Sequence, residues 1–266
     1  SMGHNTPEYL HLVGEVIRLA AADRNRYVGD PDFVTVPVDR LLSKEYAAER
    51  RGLIDLNKTI PVVRSGDLPL AGQKKRENTT HLTVVDAEGN MVSLTQTLGA
   101  WFGSGIVAEG TGVLFSNQMR HLHMEPDSPS RMEPGKRPRS NQSPIIALKD
   151  GKPFMAIGTP GSDGIWQRMA QVIVNIVDFD MDIQTAITKP RIIFGDYQET
   201  GSALKPKLQV ENRIPKETMD RLRATGYEIE SVVEDEGRVN GVMFNGRTNF
   251  LTAGADPRNM VYAIGW

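Results

Sequence analysis

Thr79-Thr80-His81 stands where a polar, basic stretch (Gly72-Gln73-Lys74-Lys75-Arg76-Glu77-Asn78) gives way to an alternating, strand-like run. A threonine in that position can serve as a nucleophile released by cleavage of its own chain. Its hydroxyl attacks a carbonyl only when a base takes the proton. Breaking the Asn78–Thr79 bond would put that base on the same residue, as a new α-amine. Such an amine has a pKa of roughly 7.7–8.0, so part of it is neutral at working pH and can accept the hydroxyl proton. Maturation would then run by attack of the Thr79 hydroxyl on the Asn78 carbonyl, an N-to-O acyl shift and hydrolysis of the ester. Turnover would use the same oxygen to form an acyl-enzyme from an amide. The junction alone equally fits a threonine that merely opens a strand.

Acyl transfer also needs donors aimed at the developing oxyanion. Pro160-Gly161-Ser162-Asp163 precedes a helical pattern, where free N–H groups and the helix dipole favour negative charge. The competing reading is a plain turn, with Asp163 capping the helix. His121 and His123 alternate, but no carboxylate or third histidine stands at ligand spacing, so no metal is expected. Gly103-Ser104-Gly105 is too short a glycine pattern for phosphate binding. Trp101 and Trp166 are expected to pack or to wall a pocket.

The elements that must position these groups are legible from caps and periodicity. Thr6-Pro7 starts a helix ending near Tyr27, and Ser43 starts a second that runs to about Leu53. Residues 57–78 carry little periodicity and read as a mobile linker. Strands are expected at 80–86 and 91–98 about a Glu88-Gly89-Asn90 turn, and at 144–149 and 153–158 about Asp150-Gly151. Residues 121–139 read as a proline-rich loop over a site. Helices follow at 165–179 and 182–188, then a strand at 207–211, a helix at 215–225 and strands at 227–234, 239–244, 249–254 and 260–265. This mixture argues for a layered α+β architecture.

Composition bounds the rest. The 266 residues have an ordinary globular make-up and a formal net charge of −2, which implies no nucleic-acid partner. No apolar run is long enough to span a bilayer. With no cysteine there is no disulfide, thiolate site or cysteine nucleophile, and the compartment stays unassigned.

Further motifs, in order, are Phe102-Gly103-Ser104-Gly105, Gly112-Val113-Leu114-Phe115-Ser116-Asn117-Gln118, Arg137-Pro138-Arg139-Ser140-Asn141-Gln142-Ser143-Pro144, Gly158-Thr159-Pro160-Gly161-Ser162-Asp163 and Gly254-Ala255-Asp256-Pro257-Arg258. With the Thr79 junction, this order and spacing resembles the γ-glutamyltranspeptidase family over about residues 7–266, most strongly over 79–194. The resemblance implies the four-layer αββα fold of N-terminal nucleophile hydrolases, with antiparallel sheets. It implies two processing regions: 1–78, the C-terminal part of a large-subunit region with its processing linker, and 79–266, the small catalytic subunit region. An upstream large-subunit part is expected to stay associated.

The resemblance makes Thr79 the nucleophile and Thr97 the residue that orients it, with a surface hairpin threonine as the alternative for Thr97. Gly161 and Ser162 match two consecutive glycines that form the oxyanion hole, and Ser162 restricts the backbone where the family has glycine. Gln118 and Ser140 match residues that bind the γ-glutamyl head group. Gly99, His121 and Asn141 depart from the family's Asn, Asp and Ser. His121 is a poor acceptor for a glutamyl ammonium, while Arg120 and Arg139 could grip a carboxylate or be solvated loop charges. The expected activity is self-processing hydrolysis or acyl transfer on a γ-glutamyl or related small-molecule amide, without a cofactor. The alternatives are an acylase with a non-glutamyl acyl pocket and a silent, uncleaved relative.

Overall fold

The computed structural model describes residues 2–66, 78–194, 207–235, 237–245 and 250–265. In chain order the elements are α1 (Pro7–Tyr27), α2 (Val38–Leu41), α3 (Lys44–Arg51), β1 (Asn78–Val85), β2 (Met91–Gly99), β3 (Ile145–Lys149) and β4 (Lys152–Gly158). Then come α4 (Ile165–Val177), α5 (Ile183–Thr188), β5 (Ile192–Ile193), β6 (Lys207–Glu211), α6 (Lys216–Ala224), β7 (Glu228–Val232), β8 (Asn240–Asn245) and β9 (Phe250–Ala255).

Two compact units are built from interleaved segments. The first comprises residues 1–75, 118–140 and 192–233. Its α1 starts as the sequence predicts: Thr6 Oγ1 accepts from the Tyr9 N–H, and proline occupies the first turn. Ser43 caps α3 in the same way. A three-stranded sheet in the order β5-β6-β7 completes the unit. Its β6–β7 pair is parallel and joined through α6, the crossover that a parallel pair requires. The segment 118–140 is irregular after a single 3-10 turn, Gln118–His121.

The second unit comprises 76–117, 141–191 and 234–266 and holds three successive layers. α4 and α5 cover one face of a four-stranded antiparallel sheet, β3-β4-β8-β9, through a core that includes Met155, Ile157, Met169, Val172 and Ile187. The antiparallel ribbon β1–β2 lies on the other face. Asp150 and Gly151, both at positive φ, make the tight turn between β3 and β4. Asp86 closes the β1–β2 turn by accepting from the backbone and side-chain amides of Asn90.

Four expectations differ. Residues 260–265 form no strand: Met260, Tyr262 and Ile264 alternate but are exposed, and no described strand pairs with them. Trp101 is exposed, which excludes core packing among its two expected roles. Asp163 is buried one residue before the α4 cap, which is Gly164 without a side-chain hydrogen bond. Half of the expected 57–78 linker, residues 67–77, lies outside the described residues; in the described half Thr59 and Val63 are buried, and Arg18 donates to Thr59 Oγ1 and the Ile60 carbonyl, so this part is fixed rather than mobile. The processing boundary expected at 78 differs from the division into compact units.

Candidate active site

β1 and β2 set the first pair of groups. Thr79 and Thr97 are register partners, and the Thr79 hydroxyl donates to Thr97 Oγ1 at 3.2 Å. Thr97 Oγ1 also accepts from the Gly99 N–H at 2.9 Å, which helps to hold it facing Thr79. Asn78 pairs with Gly99, so the register is irregular between Asn78 and Thr79. The backbone irregularity therefore falls on the bond expected to break. Bulges of this kind re-aim side chains and concentrate beside active sites. Gly99 has φ +87°, and a Cβ there would meet the Asn117 Oδ1 at 2.0 Å, so only glycine fits.

The ribbon is built with its polar side inward. Thr79, His81, Thr83, Ser93, Thr95 and Thr97 lie on the face toward the four-stranded sheet, while Leu82, Val84, Val92 and Leu94 lie on the opposite, exposed face. His81 stacks against Gly158 of β4, and its two ring nitrogens bond Thr95 Oγ1 (2.8 Å) and Thr83 Oγ1 (3.1 Å). Burial holds its pKa down, at about 4, so it stands neutral at pH 7.

The loop between β4 and α4 presents consecutive backbone amides. Gly161 has φ +115° and Ser162 φ +55°; the second is a left-handed conformation that a side chain resists. Two bonds hold these peptides. Thr159 Oγ1 donates to the Pro160 carbonyl at 2.8 Å, and Arg168 Nη1 donates to the Gly161 carbonyl at 2.7 Å. Arg168 begins a buried alternating chain. Its guanidinium binds Asp235, Asp235 binds Arg191 (3.0 Å), Arg191 binds Asp256 (2.7 Å) and Asp256 binds Arg258 (2.9 Å). Burial works against the Asp235 charge, but Arg168 and Arg191 outweigh it and hold the pKa near 2.

A cavity of about 340 Å³ is lined by Thr79, His81, Pro160, Arg238, Asn240 and Tyr262, among others. Arg238 is the only charged residue lining it among the described residues, and no acidic residue does. Asn240 ties β8 to the ribbon by donating to the His81 carbonyl at 3.1 Å.

Of the residues singled out from sequence, Thr79, Thr97, Gly161, Ser162 and Asn141 belong to the second unit, and Gln118, His121, Arg139 and Ser140 to the first. Gln118 opens the 3-10 turn, His121 is buried and Ser140 is exposed. Arg139 donates to Asn25 Oδ1 at 3.0 Å, and Arg137 to Asp30 and Asp32. The described residues contain no cluster of metal-ligating side chains, and no helix among them is long and apolar enough to cross a membrane. Sequence reasoning missed His81, Thr159, Arg168, Arg238 and Asn240. Only His81 carried a local signal, in its alternation with Thr79 and Thr83.

Helices on a sheet, a second sheet beneath it and a threonine at the start of that sheet's first strand define a class. The fold is that of an N-terminal nucleophile hydrolase, and the cephalosporin acylase of Bacillus halodurans superposes with a TM-score of 0.82 over 95% of this chain and 44% of that one, at 28% identity. More specifically, the chain belongs to the gamma-glutamyltranspeptidase family, which it matches over residues 1–266. It is 36% identical over 245 residues to the acylase ACY 1 proenzyme of Pseudomonas sp. (strain SE83), covering 92% of this chain and 41% of that protein. It is 34% identical over 270 residues to the glutathione hydrolase proenzyme of Escherichia coli (strain K12), covering 97% and 44%. The chain thus spans less than half the length of these relatives.

Proposed function

We propose that this chain is the catalytic part of a self-processing threonine hydrolase or acyltransferase acting on γ-glutamyl or related amides. Thr79 is the nucleophile in both maturation and turnover. Thr97 orients its hydroxyl, and the Gly161 and Ser162 N–H groups receive the oxyanion. The observation that carries this reading is the Thr79–Thr97 hydroxyl pair at 3.2 Å, set at a register irregularity on the Asn78–Thr79 bond.

In the uncleaved chain the Thr79 nitrogen is an amide and cannot act as base. The hydroxyl must first attack the Asn78 carbonyl, and the released amine then serves turnover by taking the hydroxyl proton and passing it to the leaving amine. This chemistry needs no cofactor. The relatives compared are named proenzymes, in keeping with an upstream large-subunit part that remains associated after cleavage.

The intact mass of the full-length protein tests this. Wild type should give two fragments, one beginning at Thr79, and Thr79→Ala should stay whole and inactive. If both stay whole, the silent-relative reading replaces this one. Thr79→Ser should still cleave, because the hydroxyl and the nascent amine are kept.

The charge of the cleft favours one variant of this reading, an acylase whose acyl group carries a carboxylate and no ammonium. A γ-glutamyl head needs an anion for its α-ammonium. Here the cleft beside Thr79 offers Arg238 and no acid among the described residues, and His121 stands where the family has aspartate. Glutaryl-p-nitroanilide should then be cleaved in preference to γ-glutamyl-p-nitroanilide. The reverse preference would return the site to a γ-glutamyl substrate.

A further inference from the structure

The geometry points to Arg168 as a positioning residue that sets and strengthens the oxyanion donor on Ser162 from behind. This rests on the acyl-transfer reading above. The Gly161 carbonyl and the Ser162 N–H belong to one peptide unit. In a trans peptide the two point in opposite directions. A donor that grips the carbonyl therefore fixes the line of the N–H on the other side. Arg168 Nη1 does so at 2.7 Å, and its positive charge draws electron density toward the carbonyl oxygen. The same peptide's N–H becomes a better donor to a developing negative charge.

The preceding peptide is held in the same sense. The Thr159 hydroxyl donates to the Pro160 carbonyl, whose peptide partner is the Gly161 N–H. Thr159 is itself fully buried and accepts from the Arg238 N–H, so its direction is set. Both donors expected to receive the oxyanion are thus aimed by a bond to the opposite end of their own peptide. The fit of Arg168 is tight on two sides. A Cβ at Gly164 would lie 2.3 Å from its Nη1, and a Cβ at Gly237 2.4 Å from its Nε. Glycine at both places is what lets the guanidinium reach the loop.

The chain Arg168–Asp235–Arg191–Asp256–Arg258 explains how a buried cation is kept beside a catalytic loop. Each carboxylate neutralises its neighbours, and the three arginines leave one positive charge in excess of the two aspartates. Arg258 at the far end donates to the Ile187, Thr188 and Lys189 carbonyls around the C-terminus of α5, where the helix dipole favours a cation. A buried ion network is weak evidence for stability alone. Its contact with the Gly161 carbonyl gives it a catalytic reason to exist.

The test compares wild type with Arg168→Gln and Arg168→Lys in the full-length protein. With an acyl anilide that wild type cleaves, Arg168→Gln should lose about tenfold to a hundredfold in kcat with KM within about twofold, less than the loss of an oxyanion donor itself. Arg168→Lys should recover part of that. A folded Arg168→Gln with wild-type kcat overturns the proposal, as does an equal rise in KM with kcat unchanged. A second measurement avoids activity altogether. In the uncleaved Thr79→Ala protein the backbone amide signal of Ser162 should shift in Arg168→Lys, with signals of the α4 core unmoved. An unchanged Ser162 signal overturns the proposal even if wild type proves inactive, whereas an inactive, uncleaved wild type with a shifted Ser162 signal removes only the acyl-transfer reading.

Discussion

His81 illustrates how one residue can sit two positions from a proposed nucleophile and still have a structural role. It is held between two threonine hydroxyls and against Gly158, and burial keeps it neutral down to about pH 4. Either ring tautomer suits these partners, since a hydroxyl can donate or accept. The unfolded chain takes up a proton near the ordinary histidine pKa of about 6.5. The folded state binds fewer protons between that value and 4, so stability rises with pH through this window and falls as pH drops through it. Each unit of pKa difference is worth about 1.4 kcal/mol, so the loss between pH 6.5 and 4 should approach 3 kcal/mol. Urea unfolding of the uncleaved Thr79→Ala protein at a series of pH values should show this slope, and adding His81→Gln should flatten it. A slope identical in both proteins would assign the acid sensitivity elsewhere.

At the scale of elements, β1 can approach β4 only because Gly158 has no side chain. A Cβ there would sit 2.2 Å from the His81 ring, which is held in place by its bonds to Thr95 and Thr83. Gly158→Ala should therefore cost about 2 kcal/mol, in the range of overpacked cores. Adding His81→Ser should recover a measurable part, because residues in contact do not behave additively. Denaturant midpoints of the two singles and the double variant decide it, and strict additivity would mean the clash is absorbed elsewhere.

The same scale shows what could be read from the chain. Thr6-Pro7, Ser43 and Asp150-Gly151 are local signals, and α1, α3 and the β3–β4 turn form where these predict. The facing of Thr79 and Thr97 was legible because antiparallel neighbours joined by a short turn have few registers open to them. Residues 260–265 misled because alternation describes a strand only when a partner exists to pair with it. β5 is two residues long, too short for any period to show. Arg168 and Asp235 lie 67 residues apart, and nothing near either announces the other. Periodicity also could not say which face of the β1–β2 ribbon turns inward, and here it is the polar one.

That inverted ribbon matters most at the scale of the whole molecule. Leu82 pairs with Leu94 and Val84 with Val92, giving an apolar square on the outer face, with exposures from 37% at Leu94 to 54% at Val84. A layered fold buries each sheet face against another element, and among the described residues the second unit supplies helices to one side of its paired sheets. The proposed association with an upstream large-subunit part gives this face its cover. Exposed apolar positions add little to the stability of the ribbon itself, so Leu82→Glu with Val92→Lys should leave this chain's own unfolding within about 0.5 kcal/mol of wild type. The paired charges lie diagonally across one face and offset each other. The same substitutions should unseat the upstream part from this face, because burying those charges under an apolar layer would cost several kcal/mol. Residues 1–75 share a compact unit with 118–140 and 192–233, so the fragments stay joined after cleavage and the readout must be local. Hydrogen exchange of the β1–β2 amides in the processed full-length protein should accelerate in the variant, and unchanged protection would mean that this part does not cover the apolar square.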